Sequence, residues 1–323
     1  MTVAVYGGTG FIGGAVVRRL LARGIAPLVL ARGKHPVAVP KGATFVAAER
    51  EDGKRLVEIF QQHEVDTVID IFALGLRNTA PMLEAMGAIG GRYVLLSSVD
   101  VYSNYAGLLK RDTPPVQAAP AKEGDPLRSF RYPYRQNDRR PQGVENDMLE
   151  DYDKIILEEA TAGDGRFVTT VIRAPMVFGP GDKQRRFRWA IEAVRKGGVA
   201  ELDQRAARWP NSYGYVEDVG ESIALAATST KAAGRTYNVG QGFVRTPIEW
   251  LLSFAVVLNQ PIEVLEVPPE ARGLLADRAD ASDLRYPLTL DTSRIRTELG
   301  FREVVPERDA LLATIADEGK RRS

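Results

Sequence analysis

The sequence predicts an α/β fold with a doubly wound parallel sheet, and three observations support this class. Short apolar runs of strand length alternate with helical segments along most of the chain, as in chains that wind β-α units into one sheet. A glycine-rich turn at residues 7–13 joins the first run to the first amphipathic segment. The run Val65–Phe72 is apolar enough to be covered on both faces, as strands of parallel sheets are.

Composition excludes several classes of protein. The 323 residues carry 43 Lys and Arg against 42 Asp and Glu, a net charge of +1, so bulk attraction to nucleic acid or to a membrane is not expected. Without cysteine there is no disulfide or thiolate site, and two distant histidines predict no metal site. The first predicted strand begins at residue 3 and no apolar run approaches membrane-spanning length, so we expect a cytoplasmic protein.

The glycine-rich turn has the features of a phosphate-binding loop. Gly7 lets the chain turn off the strand, Gly10 lets the backbone approach a pyrophosphate, and Gly13 lets the helix pack closely on the sheet. The phosphates would lie at the helix N-terminus, where free N–H groups and the helix dipole favour negative charge. The alternative is a tight strand–helix turn that binds nothing.

The end of the second predicted strand, Pro27–Ala31, indicates which cofactor is bound. In dinucleotide-binding folds an acidic residue here accepts a hydrogen bond from the ribose 2′-hydroxyl, whereas arginine suits a 2′-phosphate. Arg32 and Lys34 follow this strand, so the sequence favours NADP over NAD, with NAD still possible. Solvated loop charges are the alternative interpretation of both residues.

The remaining elements follow from apolar periodicity. Further strands are predicted at Thr44–Ala48, Val65–Phe72, Tyr93–Ser98, Phe167–Arg173, Arg235–Val239 and Ile262–Val267. Helices are predicted at Gly53–Gln62, Asp147–Ala162, from Arg185 to about Arg195, Val219–Thr228, Pro247–Leu258 and from Thr292 onward.

A long segment from Ser103 to about Asn146 breaks this pattern with prolines and arginines. A loop of this length inside a compact domain is usually a lid, a binding loop or disordered. We expect a segment that covers the substrate and meets an anionic group, with Tyr134 in its basic part; a solvated charged loop is the alternative.

Several motifs in this order resemble one family, the extended short-chain dehydrogenase/reductases of the NAD(P)-dependent epimerase/dehydratase group. The turn reads as that group's GGTGFIG, and Tyr215–Asp218 and Tyr237–Gly240 as its YVxD and YNVG. The other matching stretches are Ser97–Tyr102, Lys154 with Glu158, Arg173–Asp182 and Asp291–Phe301. The resemblance covers nearly the whole chain.

The resemblance implies a Rossmann-like domain at residues 1–173 plus about 215–243, and a smaller substrate-binding domain at 174–214 and 244–323, with the active site between them. It also implies a small-molecule substrate and a homodimer formed through paired helices, one of them Asp147–Ala162. The cofactor-binding residues that it implies are Gly7, Thr9, Gly10, Phe11, Ile12, Gly13, Arg32, Lys34, Ala73, Ser97, Lys154 and Pro175.

In this family a serine orients the substrate oxygen, a tyrosine moves the proton and a lysine binds the nicotinamide ribose. Ser98 and Lys154 match, but Glu150 stands four residues before the lysine, where the tyrosine belongs. Tyr152 lies two residues before Lys154, and two helical residues span about 200°, so we expect it to face away. Glu150 and Lys154 would share a helical face, either as a structural ion pair or with Glu150 as acid/base.

Other groups could carry the proton or hold the substrate. Asp100 follows Ser98 by two residues, at the place where the dehydratase branch of the family has a catalytic carboxylate; it could also be a structural cap. Tyr134 could fold in from the long segment. Arg173 is expected to anchor the junction between domains. The arginines expected to hold a substrate diphosphate are Arg185, Arg186 and Arg188.

The predicted function is an NADP-preferring oxidoreductase or epimerase that acts on a secondary alcohol or ketone of a sugar-like or small polar substrate. Ser98, Lys154 and either Asp100 or Glu150 would replace the usual catalytic residues. The alternative is a non-catalytic NADP-binding protein with a regulatory or nucleic-acid-associated role, which the missing tyrosine favours.

Overall fold

A computed structural model describes residues 1–33, 39–135 and 146–320. Lys34 lies outside these residues. The strands within them are β1 Val3–Tyr6, β2 Leu28–Ala31, β3 Thr44–Ala47, β4 Thr67–Asp70, β5 Arg92–Ser98, β6 Val168–Ala174, β7 Met176–Phe178, β8 Gly198–Asp203, β9 Tyr213–Tyr215, β10 Thr236–Asn238 and β11 Ile262–Val267.

The helices of the same part of the chain cover the sheet and build the C-terminal region. They are α1 Phe11–Ala22, α2 Gly53–Gln62, α3 Leu76–Ile89, α4 Ser103–Leu108, α5 Asn146–Glu150, α6 Lys154–Gly163, α7 Arg188–Lys196, α8 Gln204–Ala207, α9 Val216–Thr228, α10 Pro247–Leu258, α11 Ala276–Ala281, α12 Ser293–Leu299 and α13 Glu307–Lys320.

The main sheet has seven strands in the order β3-β2-β1-β4-β5-β6-β10, and every neighbouring pair is parallel. Helices α1 and α9 pack on one face, and α2, α3 and α6 on the other, each with its own apolar core. This is the doubly wound Rossmann-like fold that the sequence predicts. The strand order reverses beside β1, and ligands of such sheets bind in the crevice at the carboxyl ends of the strands.

A smaller region follows the sixth strand of the sheet. The parallel pair β8 and β11 and the parallel pair β7 and β9 lie here. Phe178, Phe187, Tyr213 and Trp250 form an aromatic cluster whose ring centroids lie 4.6–6.3 Å apart. This buried cluster joins β7, β9 and α10 because large aromatic rings supply much apolar area per residue.

Three predicted elements agree with the structure at both ends, namely Gly53–Gln62, Pro247–Leu258 and Ile262–Val267. Two predicted helices start elsewhere. The helix expected from Arg185 begins at Arg188, and the one expected at Val219 begins at Val216. The long segment also begins with a short helix, α4.

The predicted helix Asp147–Ala162 is wrong, because residues 151–153 divide it into α5 and α6. The break has a local cause at Asp153. Its backbone is extended, with a φ of −161°, and its carboxylate accepts hydrogen bonds from the N–H groups of Ile155 and Ile156. An aspartate in this geometry is an N-cap, so a new helix starts at Lys154.

Candidate active site

The glycine turn leaves the N-terminus of α1 open to a ligand. Gly7 has a φ of +81°, which glycine adopts without strain. A Cβ at Gly13 would lie 2.1 Å from the carbonyl oxygen of Gly7, so only glycine allows the helix to pass this close. Thr9 and Gly10 are exposed, and the first turn of the helix has no acidic side chain. These features fit a pyrophosphate group bound by backbone N–H groups.

The other predicted cofactor residues differ in their surroundings. Phe11 and Ile12 form the half-buried first turn of α1, and Arg32 is exposed just after β2. Pro175 follows β6 and would contact a side chain placed at Gly214 or Gly240. The Ser97 hydroxyl is engaged inside the protein, where it hydrogen-bonds the Glu158 carboxylate.

Lys154 joins the ends of two neighbouring strands. The side chain is buried, and its ammonium group donates hydrogen bonds to the carbonyl oxygen of Ala73, just after β4, and to that of Leu96 in β5, at 2.8 Å. Burial lowers the pKa of Lys154 to about 8, although the carboxylates of Asp100 and Asp70 oppose this effect. The amine can therefore change its charge near neutral pH.

Ser98, Asp100 and Tyr152 meet at the end of β5. The Tyr152 hydroxyl donates a hydrogen bond to Asp100 Oδ2 at 2.6 Å, and the Asp100 N–H group donates to the Ser98 hydroxyl oxygen at 3.3 Å. Asp100 Oδ1 is buried and has no hydrogen-bond partner among the residues that the structure describes. Burial raises the pKa of Asp100, and burial together with this carboxylate holds the pKa of Tyr152 well above its ordinary value.

The prediction that Tyr152 faces away from Lys154 is wrong. The Lys154 ammonium lies 5.7 Å from the centroid of the Tyr152 ring. The prediction assumed that both residues belong to one helix, whereas α6 begins only at Lys154. The helical angle of 100° per residue therefore does not apply to Tyr152.

The predicted helical pairing of Glu150 with Lys154 is also wrong. Glu150 is the last residue of α5, on the other side of the break, and its carbonyl oxygen accepts a hydrogen bond from Arg135 at 3.0 Å. The Lys154 ammonium instead donates to the two backbone carbonyls named above. The geometry therefore gives Glu150 no shared helical face with the lysine.

Tyr134 of the long segment lies against Tyr152 and Tyr105. Its hydroxyl hydrogen-bonds that of Tyr105 at 2.6 Å, and its ring centroid lies 5.0 Å from that of Tyr152. The side chain is buried. The Tyr105 and Tyr134 rings therefore form, with Tyr152, an aromatic wall beside Asp100.

A buried ion pair holds this part of the long segment in place. The Arg128 guanidinium binds the Asp153 carboxylate at 2.7 Å and donates to the Asp100 carbonyl oxygen at 3.1 Å. The N–H group of Tyr132 donates to the same Asp153 carboxylate. Asp153 thus both caps α6 and holds this part of the long segment in place.

The predicted diphosphate-binding arginines all pair with carboxylates of this chain. Arg185 binds Glu318, Arg186 binds Asp182 at 2.7 Å, and Arg188 binds Glu192 at 2.9 Å. A substrate diphosphate would have to compete with these partners. Arg173 pairs with Glu158 at 2.6 Å and with Tyr102, and also binds the Glu123 carbonyl oxygen.

Tyr105 and Arg128 are not among the site residues predicted from the sequence, and the predicted orientation of Tyr152 is wrong. A signal for Tyr152 was present, since Asp153 is a good N-cap residue immediately before an apolar run. Tyr105 and Arg128 gave no such signal, because their neighbours in space come from distant parts of the sequence. In the described ranges no group of acidic, histidine or cysteine side chains could hold a metal ion, and no helix is long and apolar enough to cross a membrane.

The glycine turn, the parallel sheet and the buried lysine define a dinucleotide-binding enzyme fold. Residues 3–123 match the NAD dependent epimerase/dehydratase family. The match covers the N-terminal part of the chain, from the glycine turn through Ser98 and Asp100, and over these residues the chain is similar to NAD(P)-dependent epimerases and dehydratases.

Two curated relatives match most of the chain. The 2′-dehydrokanamycin reductase of Streptomyces kanamyceticus is 26% identical over 281 residues, which cover 84% of this chain and 70% of that protein. The dTDP-6-deoxy-L-talose 4-dehydrogenase (NAD(P)(+)) of Kitasatospora kifunensis is 28% identical over 300 residues, or 84% of each. Both are named as enzymes of oxidation or reduction.

Solved structures show the same fold over the whole chain. A UDP-glucose 4-epimerase of Thermus thermophilus, in complex with NAD, has a TM-score of 0.66 at 22% identity and covers 99% of both chains. A UDP-glucose 4-epimerase of Stenotrophomonas maltophila has a TM-score of 0.72 at 17% identity and covers 100% of this chain and 99% of that one. These similarities confirm the predicted fold.

Proposed function

We propose that this enzyme is an oxidoreductase or epimerase that interconverts a secondary alcohol and a ketone on a sugar-like or small polar substrate. The observation that carries the proposal is the hydrogen bond between Tyr152 and Asp100, next to the Ser98 hydroxyl and beside the buried Lys154 amine at the carboxyl edge of the sheet. The sugar-like substrate class comes from the curated relatives, whose names refer to sugar compounds.

We propose that the backbone of Gly7–Gly13 binds the cofactor pyrophosphate and that Arg32 binds a 2′-phosphate, which favours NADP. Lys154 would bind the nicotinamide ribose through its ammonium group. The nicotinamide cofactor supplies or accepts a hydride when it is bound. The remaining chemistry needs a group that moves a proton at the substrate oxygen.

Asp100 and Ser98 are suited to proton transfer at the substrate oxygen and to the orientation of that oxygen. The Ser98 hydroxyl, which accepts a hydrogen bond from the Asp100 N–H group at the end of β5, would orient the substrate oxygen. The Asp100 carboxyl group is buried, and its raised pKa brings proton exchange closer to neutral pH. The Tyr105–Tyr134 wall would exclude water and contact the apolar face of a sugar ring.

One observation favours a second candidate, a cofactor-binding protein without hydride chemistry. The Lys154 ammonium and the Tyr152 hydroxyl are both satisfied inside the protein, the first by two carbonyl oxygens and the second by Asp100. A catalytic group satisfied in this way must exchange its partners when substrate binds. The two functions differ in turnover and not in cofactor binding.

The test combines cofactor binding with turnover. NADPH and NADH binding would be followed by fluorescence, and UDP-glucose, a dTDP-hexose and free hexoses would be supplied as substrates, with product chromatography to detect epimerisation. We expect turnover of at least one sugar, and about a 100-fold loss of kcat/KM in Lys154→Ala. The exposed Lys110, whose ammonium donates to the Asp280 carbonyl oxygen, provides the control Lys110→Ala. Tight NADPH binding without turnover of any sugar would favour the second candidate.

The predicted homodimer remains a proposal. The helix expected to pair is divided in the structure, and α6 buries much of its surface within the chain through Lys154, Ile155, Leu157, Glu158 and Thr161. A dimer through this helix would have to use its few exposed positions. Light scattering of the purified chain at several concentrations would measure the oligomeric state.

A further inference from the structure

We propose that Tyr152 and Asp100 form a proton relay, in which the Tyr152 hydroxyl contacts the substrate oxygen and the Asp100 carboxylate accepts or returns the proton. The inference deepens the proposed function and rests on it. It gives the proton-moving tyrosine a position two residues before the lysine, where a helical reading of the sequence excludes it.

The two groups are fixed against each other inside the protein. The hydroxyl and Asp100 Oδ2 lie 2.6 Å apart, and the residues are 8% and 4% exposed. A charge-assisted bond of this length is strong because the acceptor is ionised and water is excluded. Proton exchange between the two oxygens therefore needs no movement of either side chain.

The direction of this hydrogen bond leaves the tyrosine oxygen ready to accept. A phenol has one proton to donate, and here it goes to Asp100. The lone pairs of the tyrosine oxygen then remain to accept a hydrogen bond from a substrate hydroxyl. Asp100 Oδ1, with no partner among the described residues, leaves the carboxyl group further capacity for hydrogen bonding.

The backbone around Tyr152 is held as firmly as the hydroxyl. Gly75 and Tyr152 form an antiparallel bridge, and the Asp153 N–H group donates to the Leu74 carbonyl oxygen at 3.0 Å. A Cβ at Gly75 would lie 2.1 Å from the Asp151 carbonyl oxygen, so only glycine lets this loop approach. These contacts dock the loop on the N-terminus of α3 and set the direction of the Tyr152 ring.

The proton balance is complete when an alcohol is oxidised. The substrate O–H bond breaks as its proton moves to the Tyr152 oxygen, and the tyrosine proton moves to Asp100 Oδ2. The carbon–hydrogen bond breaks at the same time, and the hydride leaves with its electron pair to the oxidised nicotinamide cofactor of the proposed function. The substrate becomes a ketone, Tyr152 is again a neutral phenol and Asp100 is protonated; the reverse sequence reduces a ketone.

Several charges act on the carboxylate that receives this proton. Arg128 and Lys154 favour the ionised form of Asp100, while burial and Asp153 oppose it. Tyr105 and Tyr134 add polar but uncharged groups near this carboxylate. The net effect is a raised pKa of Asp100, which makes the carboxylate a better proton acceptor.

The experiment measures activity in Tyr152→Phe, Asp100→Asn and the double variant, with the sugar that the wild-type enzyme turns over best. We expect each single variant to lose about 100-fold or more in kcat, and the double variant to lose little more than either, because relay members act as one unit. The control Tyr237→Phe removes a hydroxyl bound to Glu298 and should change kcat by less than about twofold. A solvent deuterium isotope effect on kcat should be present in the wild type and lost in Asp100→Asn.

A second measurement tests the pair without substrate. The ultraviolet titration of the wild type minus that of Tyr152→Phe reports the ionisation of Tyr152 alone. In Asp100→Asn this ionisation should move to lower pH, because the neighbouring negative charge is gone. An unchanged titration overturns the relay, and so do single variants with wild-type kcat. A wild-type enzyme that turns over no sugar overturns the proposed function first, so the two failures are distinguishable.

Discussion

Gly13 lies where α1 passes closest to the turn that precedes it. The Gly13→Ala variant would place a methyl group 2.1 Å from the carbonyl oxygen of Gly7, and backbone cannot move aside as a flexible side chain can. We expect a loss of about 3 kcal/mol in the free energy of unfolding, together with much weaker NADPH binding. Urea denaturation and fluorescence titration measure the two effects.

The next residue along the helix provides a matched control. A Cβ at Gly14 would lie 3.4 Å from the end of the Arg18 side chain and 3.9 Å from the Gly8 carbonyl oxygen, which are ordinary contacts. Gly14→Ala should therefore be tolerated, or should stabilise the helix by up to about 1 kcal/mol. Equal destabilisation by the two alanines would contradict the assignment of Gly13 to a close approach.

Lys154 gives the site a pH dependence whose direction follows from its burial. Its pKa in the folded protein is about 8, so the ammonium form dominates below that pH and the neutral amine above it. If the ammonium binds the cofactor ribose, NADPH affinity should be constant near pH 7 and should fall as the pH rises through 8. The measurement is the dissociation constant of NADPH across this range.

Lys154→Met serves as the control for the titration, since it removes the amine but keeps an unbranched side chain. This variant should bind NADPH more weakly, with no change in affinity around pH 8. A wild-type dissociation constant that stays flat through pH 8 would mean that the charge of Lys154 does not contribute to cofactor binding.

At the scale of single residues, the sequence predicted those side chains whose place is fixed by a strand or by a local motif. Ser98 ends β5 and Gly13 belongs to the turn, so both follow from local spacing. Tyr152 could not be placed by spacing, because its position depends on a helix break and on a contact with Gly75, 77 positions earlier in the chain. The partner of Arg128 is equally remote in sequence.

The part of the long segment at residues 127–135 depends strongly on one buried ion pair. Arg128 and Asp153 are almost completely buried, at 0% and 1% exposure of their side chains. Arg128→Met would leave the Asp153 carboxylate buried without its main partner, at a cost of about 3–5 kcal/mol. We expect a lower urea midpoint and faster chymotrypsin cleavage near Tyr132 and Tyr134.

Arg131 in the same segment supplies the comparison. It pairs with Glu159 at 2.7 Å, but the two side chains are 36% and 59% exposed. An exposed pair of this kind contributes about 0–1 kcal/mol, so Arg131→Met should change neither midpoint nor cleavage rate by much. Similar decreases in the urea midpoint of both variants would show that the positive charge of the segment, and not the buried Arg128–Asp153 pair, holds it in place.

Elements with strong periodicity were predicted well, and elements defined by their neighbours were not. α10 combines a Thr246–Glu249 capping box with an apolar face, and its bounds follow from these signals. β8 has few β-branched residues. Gly197 precedes it and Gly198 is its first residue, so no local signal predicts a strand here. It forms because β11 pairs with it along six residues.

At the scale of the whole molecule, the main sheet connects the two regions of the chain. β10 comes late in the chain, yet it pairs with β6 at the edge of the seven-stranded sheet. β10 therefore belongs to the same sheet as β1–β6, while the division of the chain into domains stays a prediction. Asp218 of α9 also accepts hydrogen bonds from the N–H groups of Val304 and Val305, so the C-terminal region is tied back to the sheet.

Because the cofactor site is built on this sheet, its occupancy should stabilise the entire fold. A ligand at 100 times its dissociation constant adds about 2.7 kcal/mol to the free energy of unfolding. We expect NADPH to raise the melting temperature more than NADH at equal concentration, and Arg32→Glu to reverse this order, since a carboxylate suits a free 2′-hydroxyl. Differential scanning calorimetry measures the melting temperatures of the wild type and of Arg32→Glu, each with NADPH and with NADH.

Arg308→Glu makes the same charge change on the exposed surface of α13 and should leave the order of the two cofactors unchanged. A larger effect of NADH on the wild type would contradict the preference for NADP. An unaltered order in Arg32→Glu would mean that the preference arises at another position.

The start of α6 at Lys154 bears on how relatives of this chain are judged. A tyrosine inside the helix shares a face with the lysine only when the two are about one turn, or a multiple of it, apart. A tyrosine in the loop before the helix does not follow this spacing. A shift of the helix start by a few residues can therefore exchange one tyrosine for another while the lysine stays in place. Chains that lack the usual four-residue spacing should be compared by the distance between side chains before their activity is judged lost.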